Sequence, residues 1–156
     1  MQKPPVSLEI TTSDFNIETQ YRQLLSQAGD AGAVVTFVGL VREMTGDDSV
    51  NELFLEHYAG LTEKLIGDIL KEAQERWDLL AAKMIHRIGK LQPGDQIVFV
   101  GIASKHRADA FAACEFVMDY LKTKAAFWKK ETDSSGSRWK ESRVDDQKRA
   151  ERWKKP

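Results

Sequence analysis

The chain has 156 residues, 42% of them hydrophobic and 30% charged, with a formal net charge of -1. That composition suits one folded domain with a real core; it excludes a globally disordered chain and gives no bulk attraction to polyanions. The charge is unevenly spread: Tyr120 to Pro156 carries twelve Lys or Arg against six Asp or Glu (+6), leaving eleven against eighteen (-7) for Met1 to Asp119.

In chain order, Val6 to Thr11 alternates apolar and polar residues and predicts a short strand. Ser13 or Asp14 is the expected cap of a helix whose apolar positions are Ile17, Tyr21, Leu24 and Leu25. After a turn at Asp30 and Gly32, the run Ala33 to Arg42 is β-branched and nearly all apolar, which predicts a strand, with Gly39 marking a bulge or a close backbone approach. Glu43 to Ser49 reads as an exposed loop and Val50 to Tyr58 as a strand. Leu61 to Trp77 predicts an amphipathic helix with Leu61, Leu65, Ile69, Leu70, Ala73 and Trp77 on one side. Lys83 to Leu91 and Gln96 to Ser104 predict a hairpin through the turn residues Gln92-Pro93-Gly94-Asp95. Arg107 to Lys122 is helical in spacing, with a stripe of Phe111, Cys114, Val117, Met118 and Leu121. Ala126 to Glu131 and Arg138 to Glu141 predict two short strands around Asp133-Ser134-Ser135-Gly136, and the last dozen residues are charged and helical or frayed. The order β-α-β-β-α-β-β-α-β-β is an α+β pattern. With no repeat and no dividing linker, residues 1–156 read as a single domain with a charged tail over 144–156.

The lone cysteine excludes an intramolecular disulfide. Neither a signal peptide nor a membrane-length apolar run is visible, so a cytoplasmic protein is expected. The basic C-terminal quarter points to an anionic ligand or an acidic partner. Ser104-Lys105-His106-Arg107 sits where a strand gives way to a helix, and such a junction offers free N–H groups and a favourable dipole to a phosphate. The plainer alternative is that Ser104 caps the helix while His106 and Arg107 are solvated. Lys122 and Lys124 close the same helix, and Lys129 and Lys130 follow. Lys122 and Lys124 offset the helix dipole on the plainer reading; on the other, the chain turns back after the helix and Lys122 and Lys129 share a pocket in which each depresses the other's pKa. Arg42 ends the apolar strand, and Arg138 and Arg143 lie in the basic tail. Cys114 on the apolar stripe is expected to be an inert core thiol, and His57 and His86 have no second ligand at a metal-binding spacing.

GAVVTFVGLVR, LEHYAGLTEK, IHRIGKLQPGD, SKHRADAF and MDYLKTKAAFWKKE follow one another from Gly32 to Glu131, and RWKESR extends the series to Arg143. In this order the segments resemble the large, catalytic subunits of molybdopterin synthases. The resemblance implies an α/β hammerhead fold with a small additional β subdomain, and a homodimer within a heterotetramer. The partner it implies is a small ubiquitin-like subunit whose C-terminal Gly-Gly tail carries sulfur as a thiocarboxylate. The implied substrate is cyclic pyranopterin monophosphate, converted to molybdopterin by two sulfur transfers. By motif, Lys122 and Lys129 match the active-site lysines. Arg42, His106 and Arg107 match the pterin- and phosphate-binding positions, Lys130 and Glu131 line the same segment, and Arg143 matches an arginine supplied across the dimer. Ala126 departs from a proline common in the family. No cofactor, metal, nucleic acid or membrane is implied.

Two other readings compete. Phe127, Trp128, Trp139 and Trp153 interleave with basic residues, as a non-catalytic module holding nucleic acid or an acidic protein would require, although the body's net -7 opposes it. A sulfurtransferase carrying a persulfide on Cys114 is the other.

Overall fold

In chain order the computed structural model has β1 (Val6–Thr11), α1 (Ile17–Ala28), β2 (Ala33–Leu40), β3 (Glu52–His57), α2 (Leu61–Arg76), β4 (Leu79–Arg87), β5 (Gly89–Leu91), β6 (Gln96–Ser104), α3 (Arg107–Lys124), β7 (Phe127–Asp133), β8 (Gly136–Lys140) and α4 (Val144–Glu151). It describes residues 5–42, 52–124, 127–133, 136–140 and 144–154. The first sheet has the order β1-β4-β6-β2, with β1 parallel to β4 and the other pairs antiparallel. The second has the order β5-β3-β7-β8 and is antiparallel throughout. The α+β class is as expected, and the second sheet is the additional β unit.

Strand alternation sorts the core into two layers. Ala82 and Met84 of β4, with Val98, Val100 and Ile102 of β6, face α2 and α3, where Ile66, Leu70, Ala113, Phe116 and Val117 complete the main cluster. The intervening Ala81 and Ala103 meet Leu24 and Ala28 of α1, while Ile85 and Phe99 meet Phe15. Each fully buried Phe or Leu contributes roughly 1.5–3 kcal/mol, so this sandwiched sheet is the main source of stability. Gly39 behaves as its position predicts: the β2–β6 register shifts between Gly39 and Leu40, and a Cβ there would press on Val98.

Several expectations need correction. The cap of α1 is Asn16, whose Oδ1 accepts the Thr19 N–H at 2.9 Å; Asp14 instead accepts from Phe15 N–H and Gln96. Ile17, Tyr21 and Leu25 are exposed, because α1 meets the sheet through Leu24, seated over Gly101, and Ala28. In α2 the buried stripe is Thr62, Ile66, Ile69, Leu70 and Ala73, with Leu61 exposed. Glu63 binds the Gly60 N–H and Thr62 the Tyr58 N–H, and this start turns Thr62 inward. In α3 Phe111 is exposed while Phe116 and Tyr120 are buried, since α2, α4 and the sheet cover it on several sides.

Residues 83–91 are not one strand. β4 begins at Leu79, and the chain turns at Gly89 (φ +87°) so that β5 joins the second sheet. β4 and β6 still pair antiparallel, as a hairpin requires. The C-terminal segment is docked: the Asp119 carboxylate accepts from Arg152 at 2.8 Å and from Trp153 Nε1 at 2.7 Å, and the Trp153 indole packs edge-on against Trp77 and Phe116. Glu43 to Ser49, Ala126 and Arg143 lie outside the described residues.

Candidate active site

The two lysine-bearing segments meet at the end of the first sheet where β4 finishes. Lys122 is on the last turn of α3, and β7 starts at Phe127. Pairing with β3 sets Phe127 opposite His57, Lys129 opposite Leu55, Lys130 opposite Phe54 and Glu131 opposite Leu53. Strand alternation therefore places Phe127 and Lys129 on the same face of β7. Lys122 and Lys129 are exposed, and Lys130 is half-buried.

His86 joins these segments. Its position on β4 is two residues beyond Met84, on the sheet face that packs against α2 and α3. The imidazole is buried at 7% exposure and stacks on Phe127, with 4.1 Å between centroids and 23° between planes. Nδ1 lies 2.8 Å from the Arg87 backbone carbonyl oxygen, which can only accept, so Nδ1 carries the proton and Nε2 the lone pair. Burial pushes the His86 pKa down to about 4, outweighing the Arg87 carbonyl, and the nearby Lys122 charge pushes the same way. The ring is thus neutral at physiological pH. Sequence reasoning considered His86 only as a metal ligand and set it aside for want of a second one; its signal was a histidine continuing the inward-facing series Ala82, Met84 in the strand AAKMIHR.

Arg42 belongs to this end as well. Val41 N–H donates to the Asp95 carbonyl at 2.9 Å and Gly94 N–H donates to the Val41 carbonyl at 2.8 Å, so Arg42 leaves a pinned backbone beside the start of β6. Arg87, next to His86 on β4, turns to the opposite sheet face, where it donates to the Gln96 carbonyl at 2.8 Å and pairs with Asp14 at 3.6 Å.

His106 and Arg107 are elsewhere. Both are exposed at the start of α3, which has 18 residues. Fifteen residues of helix separate Arg107 from Lys122, ~22 Å at 1.5 Å per residue. One chain therefore does not bring this pair to the lysines. Ser104 does not cap α3, since its hydroxyl donates to the Asp78 carbonyl at 2.8 Å. The Gly32 N–H donates to the Ser104 carbonyl at 3.0 Å and ties the junction to the start of β2. Arg138 is in β8, paired with Glu131, while Arg143 falls outside the described residues.

Cys114 is buried, and burial pushes its thiol up to about 12, with Glu115 adding to the effect. A protonated, enclosed thiol is neither a nucleophile nor a persulfide carrier. Among the described residues no group of three or more His, Cys, Asp or Glu could hold a metal ion, and no helix is long and apolar enough to cross a membrane.

The model of the MoaE protein family matches residues 10–124. A molybdopterin synthase catalytic subunit from Vibrio cholerae is 53% identical over 146 residues, covering 94% of this chain and 97% of that protein. The molybdopterin biosynthesis MoaE protein from Burkholderia ambifaria superposes with a TM-score of 0.83 at 44% identity, covering 95% of this chain and 97% of that one. A molybdopterin synthase from Staphylococcus aureus superposes with a TM-score of 0.77 at 35% identity, covering 90% and 98%.

Proposed function

The chain belongs to the MoaE family and is a molybdopterin synthase catalytic subunit of molybdenum cofactor biosynthesis, and from that premise we propose how its residues divide the work. The substrate is cyclic pyranopterin monophosphate, and two sulfurs reach it from the C-terminal Gly-Gly thiocarboxylate of a small ubiquitin-like subunit. Lys122 acts in general acid–base chemistry at the pterin carbons or in transient covalent attachment, and Lys129 holds the thiocarboxylate beside it. Arg42, His106, Arg107 and Arg143 neutralise the phosphate, with Lys130 and Glu131 lining the same segment. Sulfur arrives on the partner, so this subunit needs no thiol of its own; the buried Cys114 supports that division. The protein works in the cytoplasm.

The observation that carries the reading is the meeting of Lys122 and the Lys129 strand around His86 and Phe127. The separation of His106 and Arg107 from that place adds a requirement: a second copy of the chain supplies them. This is the reason for a homodimer, with one small subunit serving each composite site in a heterotetramer.

The test is conversion of cyclic pyranopterin monophosphate to molybdopterin by the purified chain with thiocarboxylated small subunit, wild type beside Lys122→Ala. Turnover by wild type and its loss in the variant is the expected result. A folded wild type that binds its partner without turnover would overturn the reading.

A further inference from the structure

We propose that His86 is a positioning residue for Lys122: held flat against Phe127, it presents a neutral ring nitrogen as the acceptor that orients the lysine's amino group. The proposal rests on the reading of Lys122 as the reacting lysine.

Three observations support it. The ring cannot turn, because Nδ1 is committed to the Arg87 carbonyl at 2.8 Å while one face is covered by Phe127 at 4.1 Å. That commitment fixes the tautomer, so the other nitrogen, Nε2, has only a lone pair to offer. Lys122 is on the last turn of α3, the helix packed on the sheet face that His86 occupies, and Phe127, five residues further on, lies on the imidazole; the Lys122 charge acts on that ring as well. Lys122 carries its amine on a flexible four-carbon stem at the end of α3, so the groups around it decide where that amine points.

A neutral acceptor suits this chemistry better than a carboxylate would. A carboxylate would strongly favour the ammonium form and hold the proton on the lysine. An imidazole lone pair directs the group while leaving it able to give up a proton or attack. The stack has a second consequence. Phe127 is two residues before Lys129 on the same strand face, so the ring that orients Lys122 also fixes where β7 begins.

The experiment compares His86→Phe and His86→Gln in the complete complex with thiocarboxylated small subunit. Phe preserves ring volume and the stack but removes the acceptor; Gln preserves an acceptor and loses the stack. His86→Phe is expected to lower kcat on the order of 10- to 100-fold with KM for the pterin changed less than about twofold, and His86→Gln to recover part of that loss. Wild-type kcat in His86→Phe would overturn the proposal. Should that variant fail to fold, 15N NMR of the wild-type imidazole decides instead. A resonance of the lone-pair Nε2 that shifts in Lys122→Met supports the contact, and one that does not move refutes it. The two levels separate cleanly. A dead Lys122→Ala with an unimpaired His86→Phe removes only the positioning role, whereas an active Lys122→Ala removes the reading beneath it.

Discussion

The His86 imidazole lies on the Phe127 ring at 4.1 Å and 23°, and through that contact the C-terminal end of β4 meets the first residue of β7. Lys129 follows the stacked Phe127 on β7, and Lys122 precedes it on the last turn of α3. The energetics of that contact set the first prediction.

His86 titrates at about 4 in the folded protein against 6.5 when unfolded, chiefly because it is buried. Between those values the unfolded chain binds the extra proton, so folding stability contributed here is complete above pH 6.5 and is lost as pH falls towards 4. The full loss is about 3 kcal/mol. Urea unfolding from pH 7 to 4 is expected to show this slope in the wild type and a flatter one in His86→Phe. Parallel curves would contradict it.

Cys114 is buried and its thiol is pushed up to about 12. The native protein is expected to resist alkylation by iodoacetamide, and Cys114→Ala to keep full sulfur transfer while losing on the order of 1 kcal/mol of stability. Loss of turnover in a folded Cys114→Ala would instead restore the persulfide reading.

Gly32 is tied by its N–H to Ser104, and a Cβ on it would run into the Lys105 carbonyl oxygen. Gly32→Ala must therefore push the backbone that carries His106 and Arg107. We expect a raised KM for the pterin substrate, by several-fold, with a smaller change in kcat. An unchanged KM would show that this junction does not bind substrate.

The strands were legible from residue type and short-range pattern: the alternating VSLEIT and the β-branched, nearly all-apolar AVVTFVGL predict strands at the observed places, and Gly39 predicts the bulge. Helix faces were misassigned where large apolar residues lie outside the core. Ile17, Tyr21, Leu25, Leu61 and Phe111 fit a 3.6-residue period yet are exposed, and only contacts distant in sequence, such as Leu24 over Gly101, decide the inward side. The docking of Trp153 on Asp119 was invisible for the same reason, since a charged tail reads as solvated until its partner 34 residues away is known.

The site was only partly legible. The lysine motifs could be read as one cluster because they are close in sequence. His106 and Arg107 precede Lys122 on the same helix, and sequence proximity concealed that a helix of 18 residues holds its two ends apart. His86 was passed over as a metal ligand without a mate because its partners, a stacked ring and a backbone carbonyl, leave no motif.

That separation leads to the decisive measurement, in which two inactive variants, Lys122→Ala and Arg107→Ala, are mixed so that their dimers exchange. If two chains build each site, every mixed dimer contains one site with both defects and one with neither, and about a quarter of wild-type turnover returns. If mixed dimers form and activity stays at the level of the separate variants, the lysine and the arginine act within one chain, and the composite site is wrong.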